Sequence, residues 1–339
     1  MEIKNLQLFA ENPQVNVTTD PGLSAENKTF YDRALIEEAT PNLIHGQFGQ
    51  KRPIPKNGGK RIQFRRYASL PKALKPLTEG VTPEGRKLSA TAVEAEVNQY
   101  GDFVCLSDVL DLTAIDNNVL EATKAVGRQA GLTLDTITRN VLQSGTNVYY
   151  CPKVSSDGTV TPVTDRKGLD KTCTLTVDVV KKVAAMLKAA NAPRIAGDYV
   201  CILHPYVAYD IMSDPHWEDM HKYCSPENMY EGEIGRIAGV RFVETSEAAV
   251  YKGAGDECPE GLAVFGCLFL AEGAYGVTEV TGGGLQTIVK QLGSAGTADP
   301  LDQRSTVGWK ALQTAEILME PYMVRVECCS AFSPTAEAN

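Results

Sequence analysis

Lys60-Arg-Ile-Gln-Phe-Arg-Arg-Tyr67 alternates polar and apolar side chains, the period-two pattern of a half-exposed strand. A second alternating run, Ala90-Thr-Ala-Val-Glu-Ala-Glu-Val97, continues to Leu106. Between them, Leu70 to Leu88 holds Pro71, Pro76, Pro83, Gly80 and Gly85, which break strand and helix alike. The two runs therefore read as a long hairpin, introduced by the turn Pro53-Ile-Pro-Lys-Asn-Gly-Gly59, whose tip has no core of its own.

The hairpin lies in the most basic part of the chain. Lys51, Arg52, Lys56, Lys60, Arg61, Arg65, Arg66, Lys72, Lys75, Arg86 and Lys87 face only two acids, Glu79 and Glu84, between residues 51 and 87. The whole chain has 33 Lys and Arg, 42 Asp and Glu and a net charge of -9; setting aside these eleven bases and two acids leaves 22 bases against 40 acids. Fields this uneven favour contact between the basic limb of one copy and the acidic body of another, so these eleven residues are the predicted inter-subunit contacts. Nucleic-acid binding by the same segment is the alternative. Against it stand the net acidity and a limb whose only aromatics are Phe64 and Tyr67, too few for base stacking.

Outward from the hairpin, residues 1 to 29 are polar and read as an extended arm, followed by a short helix from Tyr31 to Ala39 that Pro41 stops. Ser107 caps a helix from Asp108 to Ile115. A longer helix, about 118–143, carries an apolar stripe at Val119, Leu120, Val126, Ala130, Leu134, Ile137, Val141 and Leu142 and ends at Gly145. At 1.5 Å per residue it forms a spine about 38 Å long. Residues 146 to 172, with Pro152, Ser155-Ser-Asp-Gly158 and Pro162, read as a surface insertion. Then come a helix capped by Thr176 (Val177–Ala190), a buried strand (Asp198–His204) and a helix around Tyr206 to Ser213. Strands follow at 239–244, 261–270, 286–291 and 322–331, a mixed order that reads as α+β.

At 339 residues, with 43% hydrophobic and 22% charged residues, the chain has an ordinary globular composition and is expected to divide into about two or three sub-domains. Nine cysteines (105, 151, 173, 201, 224, 258, 267, 328 and 329) form no CxxC pair and read as reduced thiols of a protein made in a cytoplasm. The opening MEIKNLQLFAENPQ lacks the apolar stretch of a signal peptide. The longest apolar run, Leu262 to Ala271, falls short of the roughly 20 residues of a membrane span.

Candidate chemistry is sparse. His216, His221 and Cys224 could suggest zinc, but five residues along a helix turn through about 500°, so the two rings diverge by about 140°. Cys328-Cys329 lies in an alternating strand, one side chain facing in and its neighbour out, and reads as packing. Gly282-Gly-Gly284 and Gly232-x-x-Gly235-x-x-x-Gly239 lack phosphate-loop spacing and the accompanying lysine. No GxSxG or HExxH occurs, and Glu231 and Glu233 are ordinary in so acidic a chain. The prediction is no catalytic, cofactor-binding or metal-binding residue, with an enzyme of unrecognised site as the alternative class.

Four stretches add a likeness: Asn5-Leu-Gln-Leu-Phe-Ala10, Gly22-Leu-Ser-Ala-Glu-Asn-Lys-Thr-Phe-Tyr31, Gly232-Glu-Ile-Gly-Arg-Ile-Ala-Gly-Val-Arg-Phe242 and Asp299-Pro-Leu-Asp-Gln-Arg-Ser-Thr-Val-Gly-Trp-Lys310. With the order of parts, they resemble the major capsid proteins of tailed bacteriophages, in the branch typified by the coat protein of coliphage N-four. The resemblance implies the capsid fold named after phage Hong Kong ninety-seven: an N-terminal arm at 1–50, an extended loop at 51–105, a peripheral domain at 106–175 and 281–339 containing the spine helix, and an axial domain at 176–280. It implies a coat protein that assembles with itself, as hexamers and pentamers, into an icosahedral shell around double-stranded DNA, touched without sequence specificity. Portal and scaffolding or decoration proteins would be its partners, the virion its location, the bacterial cytoplasm its place of synthesis, and no membrane is involved. Some relatives join subunits through a loop lysine and a peripheral asparagine. Here Asn339 is the only asparagine after Asn228, so that reaction is not carried over.

Overall fold

A computed structural model of the chain describes Leu35 and residues 43–55, 59–67, 70–74, 76–77, 79–80, 82, 85–113, 118–155, 157–217, 234–279, 284–294 and 299–339. Most of the arm, the Tyr31–Ala39 helix apart from Leu35, Lys56, Lys75, His221, Cys224, Glu231, Glu233 and Gly282-Gly283 lie outside the described residues.

In chain order the elements are β1 (Gln50–Lys51), β2 (Arg61–Tyr67), β3 (Ala90–Glu96), β4 (Asn98–Ser107), α1 (Asp108–Thr113), α2 (Asn118–Gln143), β5 (Val148–Tyr150), β6 (Lys153–Val154), β7 (Val160–Thr161) and α3 (Val177–Ala189). They continue with β8 (Tyr199–Leu203), α4 (Pro205–Met212), β9 (Gly235–Ile237), β10 (Val240–Glu244), β11 (Val250–Lys252), β12 (Ala263–Leu270), β13 (Tyr275–Glu279), β14 (Gln286–Lys290), β15 (Arg304–Ile317) and β16 (Met323–Cys328). Their described residues fall into two compact units, one holding 101–131 and 285–311 and the other the rest from residue 43 onward. Helix α2 and strand β15 contribute residues to both.

The larger unit is built on a mixed seven-stranded sheet in the order β5-β16-β12-β8-β10-β9, with β11 beside β12. Strand β8 explains its layering. Tyr199, Cys201 and Leu203 point into one core with Val180, Val183 and Leu187 of α3 and Val207 and Ile211 of α4. Val200 and Ile202 point into a second core with Leu142 of α2, Tyr275 and Val277 of β13 and Ala315 of β15. A sheet covered on both faces needs apolar residues at successive positions, which is why YVCIL and AVFGCLFL read as unbroken runs. Strand β8 pairs parallel with β10 and β5 with β16, while the other pairings of this sheet are antiparallel, and the class is α+β. In the smaller unit, β14 pairs antiparallel with residues 306–310 of β15.

Several expectations need correction. The second arm of the hairpin does not run straight to Leu106: the Val97 amide donates to the Lys60 carbonyl at 2.9 Å, and from Asn98 the chain becomes β4, paired with β15. Residues 146–172 are not a surface insertion. Strand β5 joins the main sheet beside β16, Cys151 and Leu169 are buried, and only the small β6–β7 pair protrudes as an exposed hairpin. Three-residue strands are too short to show a period, so the Pro and Gly nearby dominated the reading. Thr176 lends no side-chain cap to α3; instead Asp214 accepts from the Val177 amide at 3.0 Å. Cys328 and Cys329 are both fully buried, because the end of β16 is covered on both faces.

Strand β15, 14 residues long, and β13 are absent from the sequence reading. In β15 the alternation fails at Val307-Gly308-Trp309, all buried, and Gly308 itself resembles a breaker. Its role is close approach: a Cβ there would lie 2.7 Å from the Cβ of Phe103 and 2.9 Å from the Asp102 carbonyl, where β4 passes against it.

Candidate assembly surfaces

Strands β2 and β3 pair antiparallel from Arg61 opposite Glu96 to Tyr67 opposite Ala90. The inward face sets Ile62 opposite Ala95 and Phe64 opposite Val93, with Phe64 and Ala95 buried. Phe64 lies over Gly276 of β13, where an added Cβ would stand 2.7 Å from the ring. The Arg52 guanidinium stacks over the same ring, 5.8 Å from its centre. The hairpin therefore rises from a root packed on β13.

That root is itself anchored. His45 and Asp135 of α2 are fully buried, with the His45 amide donating to Asp135 Oδ1 at 2.7 Å and the ring Nδ1 2.6 Å from Oδ2. The Tyr275 hydroxyl donates to the His45 carbonyl, and burial pushes that phenol well above its ordinary pKa. Strand β1 continues the anchor by pairing parallel with β13.

The outward face carries the charges. Arg61 pairs with Glu96 at 3.6 Å and the Gln63 amide donates to Glu94 at 2.6 Å. Both partners of the ion pair are more than half exposed, so it contributes only about 0–1 kcal/mol. Register thus brings in two acids that a count ending at residue 87 leaves out: across 51–97 the eleven bases meet four acids, Glu79, Glu84, Glu94 and Glu96. Lys51, Arg52, Lys60, Arg65, Lys72, Arg86 and Lys87 are exposed, and the side chain of Arg66 lies outside the described residues with Lys56 and Lys75.

The sequence reading missed the leucines among these bases. Leu70, Leu74, Leu77 and Leu88 are 53%, 83%, 78% and 62% exposed, apolar area that a single copy leaves in water. A loop with no strand or helix period hides this pattern from sequence inspection.

Two concavities accompany these features. At the hairpin root, a cavity of about 200 Å³ is lined by Gln50, Arg52, Phe64, Arg65, Val93, Gly273, Leu318, Met319 and Tyr322. In the smaller unit a groove of about 600 Å³ runs past Phe103, Cys105, Ile288 and Trp309. Gln129 of α2 braces that region, donating to Asp102 at 2.6 Å and accepting from the Trp309 indole at 3.4 Å.

The eight described cysteines are free and all but Cys105 are buried. Burial pushes the thiols of Cys258 and Cys329 up to about 11 and about 12, and that of Cys201 well above its ordinary value, away from nucleophilic thiolate. His216 is exposed, with its amide held by Asp214, and no cluster of three His, Cys, Asp or Glu side chains able to hold a metal occurs among the described residues. Arg166 forms a fork to the buried Glu327, with both contacts at 2.6 Å, and lies over the Tyr251 ring at 3.9 Å. That arrangement ties residues 166–168 to β16 and offers no open position. No helix of the described residues is long and apolar enough to cross a membrane.

The sequence model of a family described as phage capsid protein matches residues 90–319. The structure is similar to the capsid of cyanophage Pam1 (TM-score 0.65, 13% identity, 87% of this chain and 93% of that one) and to that of Ralstonia phage GP4 (0.62, 15%, 87% and 90%). The capsid of cyanophage P-SCSP1u aligns comparably (0.62, 13%, 84% and 87%). No curated protein sequence matches the chain. Identities this low speak to the fold alone, which is the capsid fold expected from the order of parts. The family match covers well over half of the chain and takes in the β3 arm, the spine helix and every strand of the central sheet except β16: the chain belongs to the phage capsid protein family.

Proposed function

We propose that the chain is the major capsid protein of a tailed phage, that its copies close into an icosahedral head shell around double-stranded DNA, and that the hairpin is the limb by which one copy grips the next. The observation that carries this reading is the set of four exposed leucines among exposed bases, on a limb whose root is packed firmly on β13. Such area is buried only by another molecule, and an acid-rich second copy complements the charge. The function is geometric rather than catalytic, so the protein is no enzyme. The remaining acidity of the body supports a wall to which packaged DNA does not adhere.

In this reading the arm is 1–50, the extended loop 51–105, the peripheral domain 106–175 with 281–339, and the axial domain 176–280. Portal and scaffolding or decoration proteins complete the particle, the virion is its location, and synthesis takes place in the bacterial cytoplasm. The four quoted stretches support the coliphage N-four branch. Size exclusion followed by negative-stain microscopy tests the reading: the purified chain is expected as capsomers or megadalton shells. A chain that stays monomeric at every salt and protein concentration overturns it.

A further inference from the structure

The guanidinium groups of the limb are not equivalent. Arg61 already has a carboxylate, Glu96 on the opposite strand. Among the described residues no carboxylate reaches Arg52 or Arg65; Arg52 has only the face of Phe64. Both line the cavity at the hairpin root, whose other walls include Phe64, Leu318, Met319 and Tyr322. Two arginines with no carboxylate partner among the described residues, lining a cavity with Phe64, Leu318, Met319 and Tyr322, suit a carboxylate whose neighbours are apolar. At about 200 Å³ the cavity admits one or two side chains, less than the roughly 300–1,000 Å³ of a small-molecule site.

We propose that this cavity receives an acidic side chain, Asp or Glu with an apolar neighbour, from a second copy of the chain. The occupant follows from charge: outside residues 51–97 the chain carries 22 bases against 38 acids, so a second copy offers the complementary surface. The inference rests on the shell reading and sharpens it, since the contact lies at the root of the limb and not along its exposed ladder. Arg52 and Arg65 are recognition residues in this scheme, and Arg61 serves the hairpin itself.

The full-length chain carrying both Arg52→Gln and Arg65→Gln is compared with Arg61→Gln and with wild type by circular dichroism and sedimentation. All three should fold alike. Particle yield should fall by about tenfold or more in the double variant, because the lost contact recurs in every subunit. It should stay within about twofold for Arg61→Gln, whose exposed pair contributes little. Equal losses, or a double variant that assembles as wild type does, would sink the proposal. A photo-crosslinking p-benzoylphenylalanine in place of Met319 reads the occupant directly, whatever oligomer the chain forms. The expected product joins two chains through a peptide containing Asp or Glu. A crosslink to nucleic acid, one confined to a single chain, or one to a peptide without an acid would each overturn it. Absence of shells from wild type alongside an acidic chain-to-chain crosslink would instead remove the shell reading and leave the cavity assignment standing.

Discussion

Cysteine chemistry is decided by residue-scale burial. Cys267 and Cys328 approach within 3.9 Å without forming a disulfide; the hydrogen bond to Cys328 and burial push the Cys267 thiol far up, and a hydrogen bond with Cys151 and burial push Cys328 up against the opposing contact with Cys267, as burial does for Cys258 and Cys329. Cys105 alone among the described cysteines faces solvent. Iodoacetamide at about pH 8 is therefore expected to label Cys105 in the folded protein and to spare Cys258, Cys267, Cys328 and Cys329 until denaturant is added. Peptide mass mapping checks this, and rapid native labelling of Cys328 would show that β16 opens. Sequence read the nine cysteines as reduced thiols and Cys328-Cys329 as packing. It misjudged only Cys328-Cys329, because strand alternation implies one open face and β16 has none.

Among the elements, α4 carries a titratable cap. His204 accepts a hydrogen bond from the Tyr206 amide through Nδ1 at 3.2 Å, and Pro205 opens the helix. Accepting requires the unprotonated ring nitrogen, and burial lowers the His204 pKa below its ordinary 6.5. A lowered folded pKa means that the unfolded chain takes the proton first. The stabilisation is complete above about pH 6.5 and is lost as pH falls below it through the folded value. His204→Asn keeps an accepting cap without the titration. Its urea midpoint should show less acid dependence between about pH 7 and 5, a difference of about 1 kcal/mol at the acid end. Parallel pH profiles for the two proteins would count against the cap. The strand before this helix was legible as an apolar run, whereas the capping role of an interior histidine was not, since it depends on the local backbone path.

For the whole molecule, the limb is the feature on which the proposed assembly is tested. Leu74→Ser combined with Leu77→Ser should leave thermal stability of the unassembled chain within about 0.5 kcal/mol, because both side chains are mostly exposed. Shell yield should fall sharply, since the substitutions remove apolar area that the contact is proposed to bury. Differential scanning fluorimetry and sedimentation together decide the matter. Wild-type yield would mean that the leucines stay in water in the shell. Raising salt from 0.1 to 1 M shortens the Debye length from about 10 to about 3 Å and should weaken the charged part of the grip while sparing the leucines.

The sequence by itself determined the hairpin arms at 61–67 and 90–96, the spine helix at 118–143, the buried strand at 199–203 and the α+β class. In each, a single period or apolar run holds over enough residues to be read locally. Tertiary structure alone decided β13 and β15, because a strand packed on both faces around Gly308 loses its period. It also brought β5 into the main sheet, since three residues have no period, and set Glu94 and Glu96 beside the limb's bases, a matter of register. The root cavity belongs to the same class: Arg52, Arg65, Met319 and Tyr322 lie far apart in the chain and meet only because β13 holds both the hairpin root and the end of β15. Local pattern writes elements, and long-range pairing writes surfaces, because a contact between distant residues leaves no trace in either neighbourhood.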